Sequence, residues 1–148
     1  MNKKVILLLV FVCALVLNLA YFNIDSKSQN VSQSSKCEIQ SKEEIIKYIQ
    51  DNAKLPDNYI SKNDAIKLGW DAKSGNLWDV APCKSIGGDR FGNYEKILPQ
   101  KSSRRYIEAD VEYRGGKRNA KRIVYSNDGL IFYTKDHYKS FKRVDKNR

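Results

Sequence analysis

Polar and apolar residues alternate in two different rhythms along this chain, and the rhythm changes at Pro99. Before that point apolar positions recur at helical spacing. Ser41 and Glu44 stand at the spacing of a capping box, and Ile45, Ile46, Tyr48 and Ile49 follow as a helical stripe. Leu55-Pro56-Asp57-Asn58 reads as a turn. Ser61 and Asp64 predict a second, short helix carrying Ala65, Ile66 and Leu68, with Gly69 placed to end it in a left-handed conformation. A further turn of helix is predicted over residues 76–81, stopped by Pro82.

After Pro99 the period falls to two. Across residues 106–113, Ile107, Ala109, Val111 and Tyr113 share one face, while Tyr106, Glu108, Asp110 and Glu112 share the other. That pattern predicts a strand with a buried apolar face and an open polar one. Gly115-Gly116 supplies a tight turn into a second strand over residues 118–125. Ser126-Asn127-Asp128-Gly129 turns into a third over 130–134, and a last strand covers 138–144. Helices first and strands afterwards make an α+β fold, with N-terminal helices packed on one face of a C-terminal antiparallel sheet. Trp70, Ile86, Leu98, Ile107, Val111, Ile123 and Phe141 are the expected core, and Arg104 with Asp128 an expected ion pair between loop and sheet.

The first forty residues have a different character. A basic start, Met1-Asn2-Lys3-Lys4, precedes an apolar run from 5 to 22 interrupted only by Asn18, which reads as a secretory signal over residues 1–22. Eighteen helical residues span roughly 27 Å, close to a bilayer core of about 30 Å, so an uncleaved anchor is the alternative. Residues 23–40 are polar and read as a disordered spacer or pro-segment, which leaves 41–148 as the folded domain. Both readings put that domain outside the cell, secreted or anchored. An oxidising compartment makes a disulfide between Cys37 and Cys83 the natural expectation, with two unpaired thiols as the alternative.

The formal charge of +10 draws polyanions such as nucleic acid, anionic lipid or acidic polysaccharide, although a basic protein without such a partner carries the same charge. One histidine and no Cys/His cluster exclude an ordinary zinc site, so catalysis has to rest on side-chain acids and bases with no metal and no cofactor. His137 is the one imidazole, in the loop 135–138 after the third strand, where it is either a proton-transfer group or a plain turn residue. Glu108 sits mid-strand on the polar face, and Arg118 and Arg122, four apart, share a face of the next strand. This is either a cross-strand salt-bridge ladder or a phosphate site that holds its own base.

Several separate blocks carry a resemblance. Residues 54–62 (KLPDNYISK), Leu68-Gly69-Trp70, Asp79-Val80-Ala81-Pro82, residues 84–89 (KSIGGD), Glu108-Ala109-Asp110 and residues 134–138 (TKDHY) occur in order and without gaps. Together they resemble the extracellular bacterial guanyl-preferring ribonucleases, the barnase-like family of the microbial ribonucleases. The resemblance implies a metal-independent endoribonuclease acting on single-stranded RNA through a 2′,3′-cyclic phosphate. It implies Glu108 as general base, His137 as general acid, and Lys62, Arg118 and Arg122 as the cations around the phosphate. Tyr138 and the run Phe91-Gly92-Asn93-Tyr94-Glu95 would line the substrate site, with the Asn93 backbone and the Glu95 carboxylate reading the guanine edge. Tyr94 stands where barnase-like enzymes carry arginine. An Asn-Tyr-Glu run also resembles the fungal guanyl-specific ribonucleases, so guanine preference is expected to persist with altered rate and inhibitor affinity. The implied partners are RNA and an acidic barstar-like inhibitor protein, with the enzyme a monomer. The rival expectation, from charge alone, is a non-catalytic polyanion-binding module.

Overall fold

The computed structural model describes residues 40–145 together with Asn2, Cys37 and Glu38. The signal segment read over 1–22 and the spacer read over 23–40 lie almost wholly outside the described residues. The chain divides into units Met1–Cys37 and Glu38–Arg148, and the second holds every helix and strand among the described residues. Cys37 and Cys83 are each disulfide-bonded.

Among the described residues three helices and six strands make an α+β fold. Helix α1 (Lys42–Asn52) begins at the expected capping box: the Ser41 hydroxyl accepts from Glu44 N–H, and the Glu44 carboxylate accepts from Ser41 N–H at 2.7 Å. It ends at Ala53, which takes a left-handed conformation. Helix α2 (Lys62–Lys67) is capped by Ser61, whose side chain accepts from Asp64 N–H at 3.1 Å. Gly69, at φ 97°, turns the chain away. Helix α3 (Leu77–Val80) is a single turn inside the predicted 76–81.

The strands are β1 (Tyr59–Ile60), β2 (Ser85–Phe91), β3 (Tyr106–Asp110), β4 (Arg122–Ser126), β5 (Ile131–Thr134) and β6 (Lys142–Arg143), and they lie in that order in one sheet. All neighbours are antiparallel except β1 and β2, which run parallel. Neither β1 nor β2 follows from alternation. Their apolar residues are few, and β2 contains Gly87-Gly88, where a bulge between Gly87 and Asp89 shifts the register. Gly88 sits at φ 98°, a conformation that costs a residue with a Cβ (β-carbon) considerably more.

Strand β4 is buried along its whole length, because both faces of the sheet are covered. On one face α1 contributes Ile45 and Ile49 to a core with Val111, Ile123, Tyr125 and Ile131. Each fully buried aliphatic side chain there contributes about 1.5–3 kcal/mol. Ala65, Trp70, Leu77, Ala81, Ile86 and Tyr113 join the short helices to the sheet in a second cluster. A third, of Leu98, Tyr106, Val124 and Phe132, fills the opposite face of the sheet beneath the loops, with Phe91, Tyr138 and Phe141 packed against it.

That third cluster corrects the reading of an open polar face. Tyr106, Glu108 and Asp110 do share a side of β3, but all three are buried. Tyr106 belongs to the core, and its hydroxyl donates to Pro99 O at 2.8 Å. Strand ends also differ. Strand β3 stops at Asp110 because Glu112 takes φ 53° and the Asn119 side chain captures Val111 O and Glu112 O. Arg118 therefore lies in a loop, not on β4. The strand read over 138–144 shrinks to two residues, since His137 and Tyr138 both have positive φ.

Candidate active site

Glu108 is 6 % exposed at the centre of β3, paired in register with Val124 on β4 and with Asp89 on β2. Each of its oxygens has a partner. Lys62 Nζ donates to Oε1, and the Tyr138 hydroxyl donates to Oε2 at 2.5 Å. Lys62 is delivered by its position as the first residue of α2, and its backbone N–H donates to Asp89 Oδ2 at 2.9 Å, tying the helix start to β2. Burial pushes the Glu108 carboxyl up, but the hydrogen bonds from Lys62 and Tyr138 and the charges of Lys62 and Arg118 outweigh it. The net direction is down, so the group is a carboxylate at neutral pH. Tyr138 moves the other way: burial and the Glu108 carboxylate hold its phenol well above the usual range, so it remains a donor.

Arg118 and Arg122 do not form the ladder to Glu108 that their spacing suggests. Both turn to Asp110, two residues along the same face. Arg118 is bidentate, with Nε to Oδ2 at 2.7 Å and Nη2 to Oδ1 at 2.5 Å. Arg122 Nε lies 2.9 Å from Asp110 Oδ1 as an ion pair without hydrogen-bond alignment, and Nη1 donates to Asn119 O and Lys121 O. Asp110 also anchors Tyr59, whose hydroxyl donates to the Asp110 carbonyl at 2.8 Å. Two guanidiniums are thus fixed beside Glu108 by a carboxylate that is itself 1 % exposed.

His137 is carried by a compact loop. Asp136 Oδ1 accepts from Thr134 Oγ1 at 2.8 Å and from Ser140 N–H at 3.0 Å, while Oδ2 accepts from Ser140 Oγ at 2.5 Å. Within that frame His137 N–H donates to Ala120 O, and the imidazole sits 4.8 Å from the Tyr138 ring, centre to centre.

A cleft of about 450 Å³ brings these groups together: Glu108, His137, Tyr138 and Lys139 on one side, and Arg90, Phe91, Gly92, Asn93, Tyr94, Glu95 and Ile97 on the other. Of the site residues expected from sequence, Glu108, His137, Tyr138 and the whole 91–95 run line one cavity, Lys62 reaches it through Glu108, and the two arginines lie behind it through Asp110. The loop is built in advance. Asn93 spends its side chain internally, Nδ2 donating to Leu98 O at 2.8 Å and Oδ1 accepting from Leu98 N–H at 3.0 Å. The Asn93 carbonyl accepts from Lys96 N–H at 3.0 Å, which closes the turn, and Glu95 is exposed. Tyr94 is 92 % exposed, and its ring covers Gly92 so closely that a Cβ there would run into it. Nothing in the spacing of the sequence singles out Asp89 or Asp110 as positioning residues; their only signal is membership of the matched blocks.

A ribonuclease family profile matches residues 42–145. A ribonuclease of Heyndrickxia coagulans is 53 % identical over 100 residues, covering 68 % of this chain and 92 % of that protein. A ribonuclease of Bacillus intermedius has the same identity over 100 residues, covering 68 % of this chain and 62 % of its own length. The guanyl-specific ribonuclease St of Saccharopolyspora erythraea is 43 % identical over 56 residues, 37 % of this chain and 55 % of that protein. With a carboxylate, an imidazole and a cationic pocket assembled on this frame, and with the match spanning the folded unit, the chain belongs to the ribonuclease family that the profile describes and is an endoribonuclease.

Proposed function

We propose that the enzyme cleaves single-stranded RNA on the 3′ side of guanosine by metal-independent transesterification. The observation that carries this reading is the common cleft: Glu108 and His137 face it together with the 91–95 loop. Glu108 takes the proton of the ribose 2′-hydroxyl as that oxygen attacks the adjacent phosphorus. His137, as imidazolium, protonates the departing 5′-oxygen. The products are a 2′,3′-cyclic phosphate and a free 5′-hydroxyl, and DNA, which lacks the nucleophile, is not cut. Lys62, Arg118 and Arg122 stabilise the charge that grows on the phosphorane, the kind of preorganised electrostatics that is usually the largest catalytic contribution. Lys62 begins on Glu108 and is drawn to the phosphate when substrate arrives, which frees the base.

Guanine is held by the loop. The Glu95 carboxylate accepts from N1–H and the N2 amine, the Asn93 backbone serves the other edge, and Tyr94 offers a stacking surface contributing about 1–3 kcal/mol. The guanyl specificity named for the Saccharopolyspora relative supports this preference. Mass analysis of the fragments from a defined oligonucleotide tests both parts. A cyclic phosphate following guanosine is the expected product; 5′-phosphate ends, or cuts indifferent to base, would defeat the reading.

The disulfide-bonded state of Cys37 and Cys83 supports export to an oxidising compartment, secreted or anchored by residues 1–22. Fractionation of the source cell tests this, and activity confined to the cytosol would overturn it. An acidic inhibitor engaging the same cations is the partner expected of such an enzyme; salt-insensitive inhibition would argue against it.

A further inference from the structure

A second, smaller cleft of about 110 Å³ backs onto the first. The two share Arg90, Phe91, Gly92 and Asn93 as a common wall. Its other side is formed by the segment from Pro99 to Tyr106, including Lys101, Arg104 and Arg105. Four of the residues lining it are cations and none is acidic. Arg104 is neutralised by Asp128, with Nη2 to Oδ2 at 2.6 Å. Among the described residues no ion pair or side-chain hydrogen bond engages the Arg90, Lys101 or Arg105 side chains.

The backbone that carries these cations is tied down. Arg90 pairs in register with Ile107, and Arg105 immediately precedes β3, so the two basic residues stand at the loop-side end of the β2–β3 pair. Arg105 N–H donates to Asn127 Oδ1 at 2.8 Å, and Asn127 N–H returns a bond to Arg105 O at 3.1 Å. The facing segment is pinned at Pro99 O, which accepts from both Arg104 Nη1 and the Tyr106 hydroxyl. Among the described residues the exposed Arg90, Lys101 and Arg105 side chains have no acidic partner, so an anion entering the cleft relieves the repulsion among them. The cavity is far below the roughly 300 Å³ at which pockets begin to enclose whole small molecules, so it suits one phosphate and not a nucleoside.

We infer that this cleft is a subsite for a backbone phosphate of the RNA on the 5′ side of the nucleotide held by the 91–95 loop. The inference rests on the proposed reading of that loop as the base holder. With the scissile phosphate at Glu108 and His137, the strand leaving in the 5′ direction has to pass the loop, and the far wall of the loop is this cationic cleft.

The test compares kcat/KM for a guanosine-containing dinucleotide, for the same dinucleotide extended on its 5′ side, and for one extended on its 3′ side. The parent enzyme and the variant Lys101→Ala/Arg105→Ala are assayed across a range of salt. The 5′ extension should raise kcat/KM in the parent, and the variant should lose most of that gain while cleaving the dinucleotide and the 3′-extended substrate as before. For the 5′-extended substrate, the slope of log(kcat/KM) against log[salt] should become shallower by about 0.7 for each phosphate contact removed. The charge-preserving Lys101→Arg/Arg105→Lys should retain the gain. An undiminished 5′ gain in the alanine variant, or an equal loss on the 3′-extended substrate, would overturn the subsite. Cleavage of dinucleotides without regard to base would fault the loop reading alone.

Discussion

Glu108 and Asp110 occupy the same face of β3, two residues apart, both below a tenth exposed, and both within reach of cations. Asp110 is matched by two guanidiniums and shut away from the cleft. Glu108 is held by one flexible ammonium and one neutral phenol, and it faces the cleft. The difference is one of exchangeability. A carboxylate locked between two arginines has no partner it can release, so it serves as a fixed anchor that aims positive charge. A carboxylate whose lysine can be attracted elsewhere is able to take up a proton when its partner moves. Neighbouring residues, more than residue type, divide the work between them.

Six substitutions would break or sharpen that contrast. Glu108→Gln, with His137→Ala alongside, should lower kcat by about 10²–10⁴-fold while the folded state persists; a rate within threefold of the parent would remove that residue from the chemistry. Asp110→Asn should act chiefly on stability, because it strands two largely buried guanidiniums. A loss of about 3–5 kcal/mol in urea unfolding is expected, against a much smaller change for Glu108→Gln, since Lys62 can turn to solvent. Lys62→Met should move the acid limb of the kcat/KM profile to higher pH, with a smaller move for Tyr138→Phe. Both groups hold the Glu108 carboxyl down, and the lysine does so more strongly. The sign for stability agrees: a depressed carboxyl contributes fully above its unfolded value and loses that contribution as pH falls through the folded one. An unmoved limb in both variants would refute this account. Smallest of all, Ser41→Ala should cost about 1 kcal/mol of stability by removing a cap far along the chain, and should leave kcat unchanged.

The helix starts are legible in the sequence because capping is local: Ser41, Ser61 and Gly69 announce themselves within three or four residues. The side alternation of β3 is legible for the same reason, and Arg104 does find Asp128. What periodicity does not reveal is what covers a face. Tyr106, Glu108 and Asp110 read as open because the loops that bury them come from distant parts of the chain. Strand β2 is invisible because its central glycines and charges carry no apolar rhythm, although it supplies Asp89 and, through Arg90 and Phe91, part of the cleft wall. The convergence of Glu108 with His137 comes from the resemblance and not from the spacing of the residues. Arg118 escapes its expected partner because a loop, free of strand geometry, lets its side chain turn to Asp110.

The Asp136 carboxylate gathers Thr134 and Ser140 around the root of the His137 loop, and those hydrogen bonds, the ones from Ser140 foremost, pull it down to about 2. Its hold is therefore complete above the ordinary aspartate range and slackens only as pH falls through that low value. The imidazole thus rides on a latch that stays shut in mildly acid surroundings. Loss of activity there would reflect titration of the reacting groups themselves, not the loosening of the arm that carries one of them.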